Sequence, residues 1–124
     1  MLRVKCYNYK YNDALVFFIN NTEIGRSSIS ACSQKRGIIN HIIVHEKYRS
    51  MGFGSYILFH SEHYLIKKYC ISNINVLAWQ PHGGHVSKFY VKNNYRLSTY
   101  SNIDTYDDGE NIFDIIPLQK SVQK

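Results

Sequence analysis

Two glycines, Gly52 and Gly54, stand where the pattern of the sequence changes, and they constrain the fold more than any other feature. Residues 38–44, shortly before them, are rich in β-branched side chains, which favour a strand. From about residue 53 to residue 69, apolar side chains recur at helical spacing. The chain therefore passes from a strand into a helix through a turn that contains both glycines. One face of this helix is predicted to carry Ile57, Leu58, Ser61, Tyr64, Leu65 and Lys68, with Glu62 pointing elsewhere.

The start of such a helix is a candidate anion site. The first backbone N–H groups of a helix have no partner within it, and the helix dipole adds partial positive charge. Glycine lets a ligand lie close to the backbone, and Arg49 adds a full charge beside the turn. The turn lacks the Lys-Ser/Thr ending of a nucleotide-hydrolase P-loop, and Ile57 replaces the third glycine of a dinucleotide-binding turn. A phosphate site is one interpretation, and a tight turn without a ligand is the other.

The remaining patterns predict one domain over residues 1–124, with a mixed, mostly antiparallel sheet and helices packed on it. Strands are predicted at residues 2–7, 14–19, 24–32, 38–44 and 74–79. A short second helix begins near Val86 and ends near Asn94, where asparagine suits a left-handed cap. Two closing strands are predicted at residues 96–100 and 111–118, joined by an acidic loop through Asp104, Asp107, Asp108 and Gly109.

Charge and composition exclude several functions. The 124 residues carry a net charge of +6, which attracts anions in general. The basic residues do not form a long block, so a nucleic-acid-binding arm is not predicted. No apolar run approaches the roughly 18 residues of a membrane span. A protein–membrane interaction is therefore not predicted either.

The cysteines and histidines do not predict a metal site. Three cysteines are widely spaced and odd in number, so neither a metal site nor a disulfide framework follows from Cys6, Cys32 and Cys70. They are interpreted as mostly buried, reduced thiols of a cytoplasmic protein. Four histidines lack an acidic or cysteine partner at a diagnostic spacing, so no metal ligand is predicted among His60, His63, His82 and His85.

Several segments together resemble the GCN5-related N-acetyltransferase (GNAT) family. Residues 49–54, RSMGFG, match the Arg/Gln-x-x-Gly-x-Gly/Ala loop of that family. Residues 88–97, KFYVKNNYRL, resemble its Phe-Tyr-x-Lys-x-Gly-Phe segment, and residues 20–30, NNTEIGRSSIS, resemble its second hairpin. The resemblance covers about residues 14–118 and implies the acyl-CoA N-acyltransferase fold.

This resemblance implies that the chain binds acetyl-coenzyme A as its co-substrate. The diphosphate would lie on backbone N–H groups of the glycine turn, and the pantetheine arm would pair with the edge of the strand before it, like an added strand. The strands at residues 38–44 and 74–79 would splay apart to admit it. The implied cofactor-binding residues are Ile42, Ile43, Val44, Arg49, Ser50, Met51, Gly52, Phe53, Gly54 and Ser55.

In the family an amine attacks the thioester directly, so catalysis needs positioning and proton transfer. Tyr90 matches the family tyrosine near the coenzyme sulfur and is the candidate proton donor to the thiolate. His41 is the candidate base, because imidazole can take a proton near neutral pH and Asn40 cannot. Strict alternation puts His41 on the opposite face from Asn40 and Ile42, although a bulge could reverse this.

Two features depart from the family. Gly83 stands where a family asparagine is common, and only residues 8–13 separate the first two strands, where the family places one or two helices. The groove for the acceptor would then be open, built by a second copy in a homodimer, or absent. The prediction is an N-acetyltransferase for a primary amine of a small molecule or protein. The alternative is a degenerate, non-catalytic module that binds coenzyme A or a partner protein.

Overall fold

The computed structural model of the chain describes residues 2–82, 84–98 and 103–122. Within these ranges eight strands form one sheet, and a 3₁₀ turn covers Glu46–Tyr48. The strands are β1 (Leu2–Asn8), β2 (Asp13–Ile19), β3 (Thr22–Cys32), β4 (Arg36–Val44), β5 (Asn73–Pro81), β6 (Arg96–Leu97), β7 (Asp104–Asp107) and β8 (Ile112–Ser121). The helices are α1 (Phe53–Tyr69) and α2 (Val86–Lys92).

The sheet follows the order β1-β2-β3-β4-β5-β8-β6, and β7 also pairs with β8. Among the described strands, β4 and β5 form the only parallel pair. Helix α1 makes the crossover that a parallel pair requires. The predicted mixed, mostly antiparallel sheet is therefore confirmed. Neither described helix has both the length and the hydropathy for crossing a membrane.

Backbone conformations explain two of the turns. Asn20 and Asn21 have φ angles of 48° and 71°, and the residues on either side of them pair directly. This is the two-residue hairpin turn that asparagine tolerates. Asn94 has a φ of 74° after α2, as predicted for a left-handed position.

Both helices pack on the same face of the sheet. The buried hydroxyls of Ser27 on β3 and Ser61 on α1 lie 2.6 Å apart. On α2, the backbone N–H of Ser87 donates to the buried Gln80 of β5. The core fills the layer between this face and the helices, with Phe17, Ile39, Ile57, Leu65 and Ile74 among its buried side chains.

The other face of the sheet has no described helix over it, and we call it the helix-free face. Leu77 and Trp79 of β5 lie on it and are 58% and 49% exposed. Strand β1 connects to β2 through the short loop of residues 9–12, which contains no helix. At the edge of this face, all seven residues of β1 are exposed, and Arg3 and Lys5 lie over the ring of Phe18.

A polar cluster around the buried Asp13 connects the β1–β2 hairpin to the end of α1 by hydrogen bonds. Asp13 is 5% exposed and accepts hydrogen bonds from Asn8, Tyr64, Tyr69 and Lys68, at 2.6 to 3.4 Å. Burial alone raises the pKa of Asp13, but these hydrogen bonds and the charge of Lys68 outweigh it and hold the pKa below its usual value. The carboxylate therefore stays ionised and joins the two elements.

Several sequence-based expectations are wrong. The acidic segment contains the strand β7, which the sequence analysis placed in a loop. Strand β6 ends at Leu97, while Thr99 and Tyr100 of its predicted range lie outside the described residues. All three cysteines are exposed. Glu62 is buried because Tyr95 and Lys120 donate hydrogen bonds to its carboxylate across the core.

Candidate functional site

Strands β4 and β5 part at the end of their shared length. Their pairing runs from Arg36 opposite Asn73 to Ile39 opposite Val76 and does not continue. Strand β5 goes on to Pro81 with β8 as its partner, and β4 goes on to Val44 with β3. Among the described residues, the edge of β4 that faces β5 is therefore unpaired beyond Ile39. This split lies directly before the glycine turn.

A β-bulge lies at the point where the two strands separate. Ile29 pairs with Ile39 and Ser28 pairs with His41, so Asn40 is the extra residue. The side chain of Asn40 donates to Ser30 at 2.9 Å, and both Asn40 and His41 lie on the helix-free face. Strict alternation, which put them on opposite faces, is thus wrong. Beyond the bulge, Ile42 returns to the core side.

The glycine turn has the backbone geometry of an anion cradle. Ser50 and Gly52 both have positive φ, 63° and 84°, and Gly52 is the N-terminal cap of α1. The first helical hydrogen bond runs from the N–H of Tyr56 to the carbonyl of Gly52. Among the described residues, no acceptor is hydrogen-bonded to the N–H groups of residues 50–55. Such a run of free amides near a left-handed turn forms a concave anion site.

The two glycines serve different purposes. A Cβ at Gly52 would meet nothing within 4 Å, so glycine is needed there for the left-handed backbone. A Cβ at Gly54 would lie 3.1 Å from Phe89 Cε1, so glycine is needed there for the close approach of α2. The expectation that both glycines mainly clear space for a ligand is therefore only part of the explanation.

A cavity of about 220 Å³ opens at this turn, and we call it the cradle cavity. Its walls come from the end of β4, the turn and the outer side of α2. Arg49 lines it and donates from Nε to the carbonyl of Val44 at 3.0 Å, which holds the guanidinium beside the strand end. Lys92 supplies a second cation. Two cations and free amides together suit a diphosphate-sized anion.

The predicted cofactor-binding residues only partly coincide with this cavity. Of the ten, the cavity is lined by Val44, Arg49, Ser50, Gly52, Gly54 and Ser55. Ile42 lies partly buried on the core side of β4, and Ile43 is exposed on the helix-free face. Met51 is exposed in the turn and Phe53 begins α1. Three further residues line the cavity that were not predicted from the sequence, Tyr48, Phe89 and Lys92. Tyr48 directly precedes Arg49 in the chain, whereas Phe89 and Lys92 lie near the turn only through tertiary packing.

Tyr90 lies on α2, 6% exposed, between the rings of Phe89 and Tyr95 at centroid distances of 5.0 and 5.5 Å. Burial raises the pKa of Tyr90 to about 12. Its hydroxyl makes no hydrogen bond to a described residue, and it keeps its proton at neutral pH. The group is therefore able to donate a proton.

His41 and Tyr90 come from opposite faces of the sheet. His41 is exposed on the helix-free face, whereas Tyr90 is buried on the helix side. Only a ligand that passes through the split between β4 and β5 could meet both. Gly83, where the family often has asparagine, lies outside the described residues. No cluster of three or more metal-ligating side chains occurs in the described part of the chain.

Comparisons with known proteins agree on the fold. The sequence matches the family described as "Acetyltransferase (GNAT) family" over residues 4–95. A comparison with curated protein sequences gave no significant match.

Solved structures resemble the chain over nearly its whole length. An acetyltransferase from Bacillus subtilis in complex with CoA superposes with a TM-score of 0.76 at 13% identity, covering 99% of this chain and 100% of that one. A GNAT family acetyltransferase from Elizabethkingia anophelis with acetyl-CoA bound has a TM-score of 0.71 at 12% identity and 98% coverage of both chains. The ribosomal-protein-S18-alanine N-acetyltransferase from Escherichia coli has a TM-score of 0.75 at 12% identity, covering 94% of this chain and 73% of that one. At these identities the likeness shows the fold, and the family match over residues 4–95 shows the relationship: the chain belongs to the GNAT acetyltransferase family.

Proposed function

We propose that this protein transfers the acetyl group of acetyl-coenzyme A to a primary amine. The observation that carries the proposal is the cradle cavity at the end of the β4–β5 split, on a fold whose relatives bind this cofactor. The Bacillus subtilis acetyltransferase was crystallised in complex with CoA, and the Elizabethkingia anophelis protein was crystallised with acetyl-CoA bound. In our proposal acetyl-coenzyme A is the co-substrate here as well.

The cofactor would be held by backbone groups and two cations. The diphosphate would accept hydrogen bonds from the amides of residues 50–55, with Arg49 and Lys92 on either side of it. The pantetheine arm would pair with the free edge of β4 at residues 42–44, as an added strand does. The acetyl end would then reach the bulge at Asn40, between the two faces of the sheet.

The transfer step uses the two candidate proton groups. The amine nitrogen attacks the thioester carbonyl carbon, a C–N bond forms, and the C–S bond breaks to release the thiolate. Tyr90 gives its proton to that thiolate, and the nitrogen loses a proton to His41 or to a water molecule that leads to it. Positioning of the amine against the thioester supplies most of the remaining rate enhancement.

Calorimetry with acetyl-coenzyme A tests the cofactor site. We expect a one-to-one complex, and we expect Lys92→Gln to weaken it about tenfold, because one charge-assisted contact is worth about 1.4 kcal/mol. Lys88→Gln is the matched control, since Lys88 is exposed on the same helix and does not line the cradle cavity. Absence of binding at millimolar cofactor would overturn the proposed function.

The second candidate is a non-catalytic module that binds coenzyme A or a partner protein. The bare helix-free face favours it, because helices that could enclose an acceptor are absent between β1 and β2. Thiol release with a panel of amines separates the two candidates. Binding of acetyl-coenzyme A without turnover of any amine would favour the module.

A homodimer is part of the proposal, since a second copy could cover the open acceptor side. The exposed Leu77 and Trp79 support it, as large apolar groups on one face often mark an interface. Sedimentation at micromolar concentration tests it, and Trp79→Lys should return a dimer to the monomer.

We also place the protein in the cytoplasm, on the evidence of its unpaired cysteines.

A further inference from the structure

The helix-free face carries a groove beside the split, and we call it the carboxamide groove. Its volume is about 530 Å³, and it lies over the paired halves of β4 and β5 and the end of β8. Ile38, which lines the groove, is two residues before the bulge at Asn40. A molecule in this groove would therefore lie next to the place where the acetyl group is proposed to emerge.

Four side-chain carboxamides line the groove, from Gln34, Asn73, Asn75 and Gln119. None of them makes a side-chain hydrogen bond to another described residue, and Oδ1 of Asn73 is buried without a partner. Of the described carboxamides outside the groove, internal side-chain hydrogen bonds are made by Asn8, Asn12, Asn40, Gln80 and Asn93, but not by Asn21, Asn94 or Asn111. A carboxamide both donates and accepts, so a set of free ones matches hydroxyl or amide groups of a ligand.

Arg36 gives the groove its charge. Among the described residues that line the groove it is the only charged one, and its guanidinium forms no ion pair with a described carboxylate. Asp104 shares this face but lies beside Ile115, outside the groove. A lone guanidinium attracts a phosphate or carboxylate, and the described part of the wall has no carboxylate to form an ion pair with a polycation.

The floor of the groove is apolar. Ile38, Leu77 and Pro117 provide it, and Leu77 is 58% exposed. Such a floor suits the C–H surface of a small ring or side chain, with polar groups directed to the walls. A purely apolar amine would fit this groove poorly, because it would leave the carboxamides of the walls without hydrogen-bond partners.

We propose that the amine acceptor is a small, hydroxyl- or amide-rich molecule that carries one anionic group, and that Arg36 binds this group. The inference rests on the proposed acetyl transfer and names the acceptor class for it. Arg36 and Asn40 are four residues apart on β4, about 13 Å in a strand, so the anion lies several bonds from the reacting amine. Polyamines and other polycations are excluded as preferred acceptors.

Matched pairs of amines that differ in one anionic group test this proposal. The first pair is glucosamine 6-phosphate and glucosamine, and the second is the dipeptide Ser-Asn and its C-terminal amide, with spermidine as the polycation. At saturating acetyl-coenzyme A we expect the anionic member of one pair to have a kcat/KM about tenfold above its neutral partner, the effect of one charge-assisted contact. The pair that responds distinguishes phosphate from carboxylate.

Variants at two neighbouring positions test whether the preference depends on Arg36. Arg36→Gln should remove the difference within the responding pair and leave the affinity for acetyl-coenzyme A unchanged. Lys35→Gln, which makes the same charge change outside the groove, should preserve the difference. Preference for spermidine or for both neutral amines, or an unchanged preference in Arg36→Gln, would overturn the inference.

A binding measurement keeps the test decisive if turnover is slow. Saturation-transfer NMR on the coenzyme A complex should detect the anionic amine and lose its signal in Arg36→Gln. Lack of any signal for both anionic amines contradicts the inference alone. Lack of acetyl-coenzyme A binding contradicts the proposed function itself, so the two failures are distinguishable.

Discussion

Two buried phenols on neighbouring segments have different chemical surroundings. Tyr95 donates to Glu62 at 2.7 Å, and burial with the nearby carboxylate raises the pKa of Tyr95 far above its usual value. Tyr90 is 6% exposed against 2% for Tyr95, and its hydroxyl has no hydrogen-bond partner among the described residues. Since buried hydroxyls are normally paired, the free hydroxyl of Tyr90 is the one available to a ligand, and that of Tyr95 holds the core together.

Tyr90→Phe is the sharpest single test of the proton donor. The ring contacts with Phe89 and Tyr95 remain, so the variant should fold and bind acetyl-coenzyme A normally. We expect kcat to fall about 10²-fold or more, the usual contribution of a positioned acid. Thiol-release kinetics measure this, with the exposed Tyr7→Phe as the control.

The raised pKa of Tyr90 predicts one feature of the pH dependence of the reaction. With a pKa of about 12, Tyr90 keeps its proton through pH 10, so its titration should not lower the rate in that range. A loss of rate between pH 9 and 10 that disappears in Tyr90→Phe would contradict the assignment.

Asp13→Asn tests the polar cluster between the hairpin and α1. The amide would present N–H groups to Lys68 and the two tyrosines, so we expect a loss of about 1–3 kcal/mol in the free energy of unfolding at pH 7. Urea titration measures it. The exposed Asp104→Asn is the control and should change little.

The lowered pKa of Asp13 gives this stabilisation a pH window. It is fully present above the unfolded-state pKa of about 4 and is lost as the pH falls through the lower folded-state value. The stabilities of Asp13→Asn and the unaltered protein should therefore converge in acid. A constant gap down to pH 2 would mean that ionised Asp13 is not the cause.

Among the elements, those with a strong local pattern are the ones that sequence analysis located. Helix α1 spans Phe53–Tyr69 as predicted, because its apolar period is clear and left-handed residues, Gly52 and Cys70, flank it. Strand β7 was missed because its acidic, exposed residues have no apolar alternation, and only pairing with β8 makes it a strand. The bulge at Asn40 likewise depends on its register with β3.

Long-range contacts explain what else the sequence did not reveal about the site. The residue Phe89 faces Gly54 across a gap of 35 positions in the chain, and nothing local indicates this contact. The loop motif could be recognised because its residues are contiguous. The role of Lys92 and the carboxamide groove could not be recognised from the sequence, because each depends on elements that are distant in the chain.

Gly54→Ala tests the junction between α1 and α2. The new Cβ would press on the Phe89 ring at 3.1 and 3.4 Å and shift a wall of the cradle cavity. We expect acetyl-coenzyme A to bind about tenfold more weakly, or about 1.4 kcal/mol, as judged by calorimetry. Adding Phe89→Leu should recover part of the loss, and additive effects in this double-mutant cycle would rule out the contact as the cause.

For the whole molecule, cofactor binding should couple to stability. The proposed site joins β4, the glycine turn and α2, which are distant in sequence, so the unfolded chain cannot reproduce it. At a free concentration of 100 times Kd, acetyl-coenzyme A should raise the free energy of unfolding by about 2.7 kcal/mol. Thermal unfolding with and without cofactor measures this.

Salt provides the accompanying control. The site is cationic and the net charge is +6, so the stabilisation should decrease as KCl increases. Equal stabilisation at all salt concentrations would argue against binding through the charged diphosphate.

The exposed strand β1 has a consequence for how the protein behaves at high concentration. In the sheet order of the described strands its outer backbone edge is unpaired, and an exposed edge can pair with strands from other molecules. Arg3 and Lys5 put positive charges at two alternate positions of β1, and both lie over the Phe18 ring. The like charges of two β1 edges would repel each other when the edges approach in antiparallel register. This repulsion opposes edge-to-edge pairing and so the fibrillar aggregation that such pairing starts.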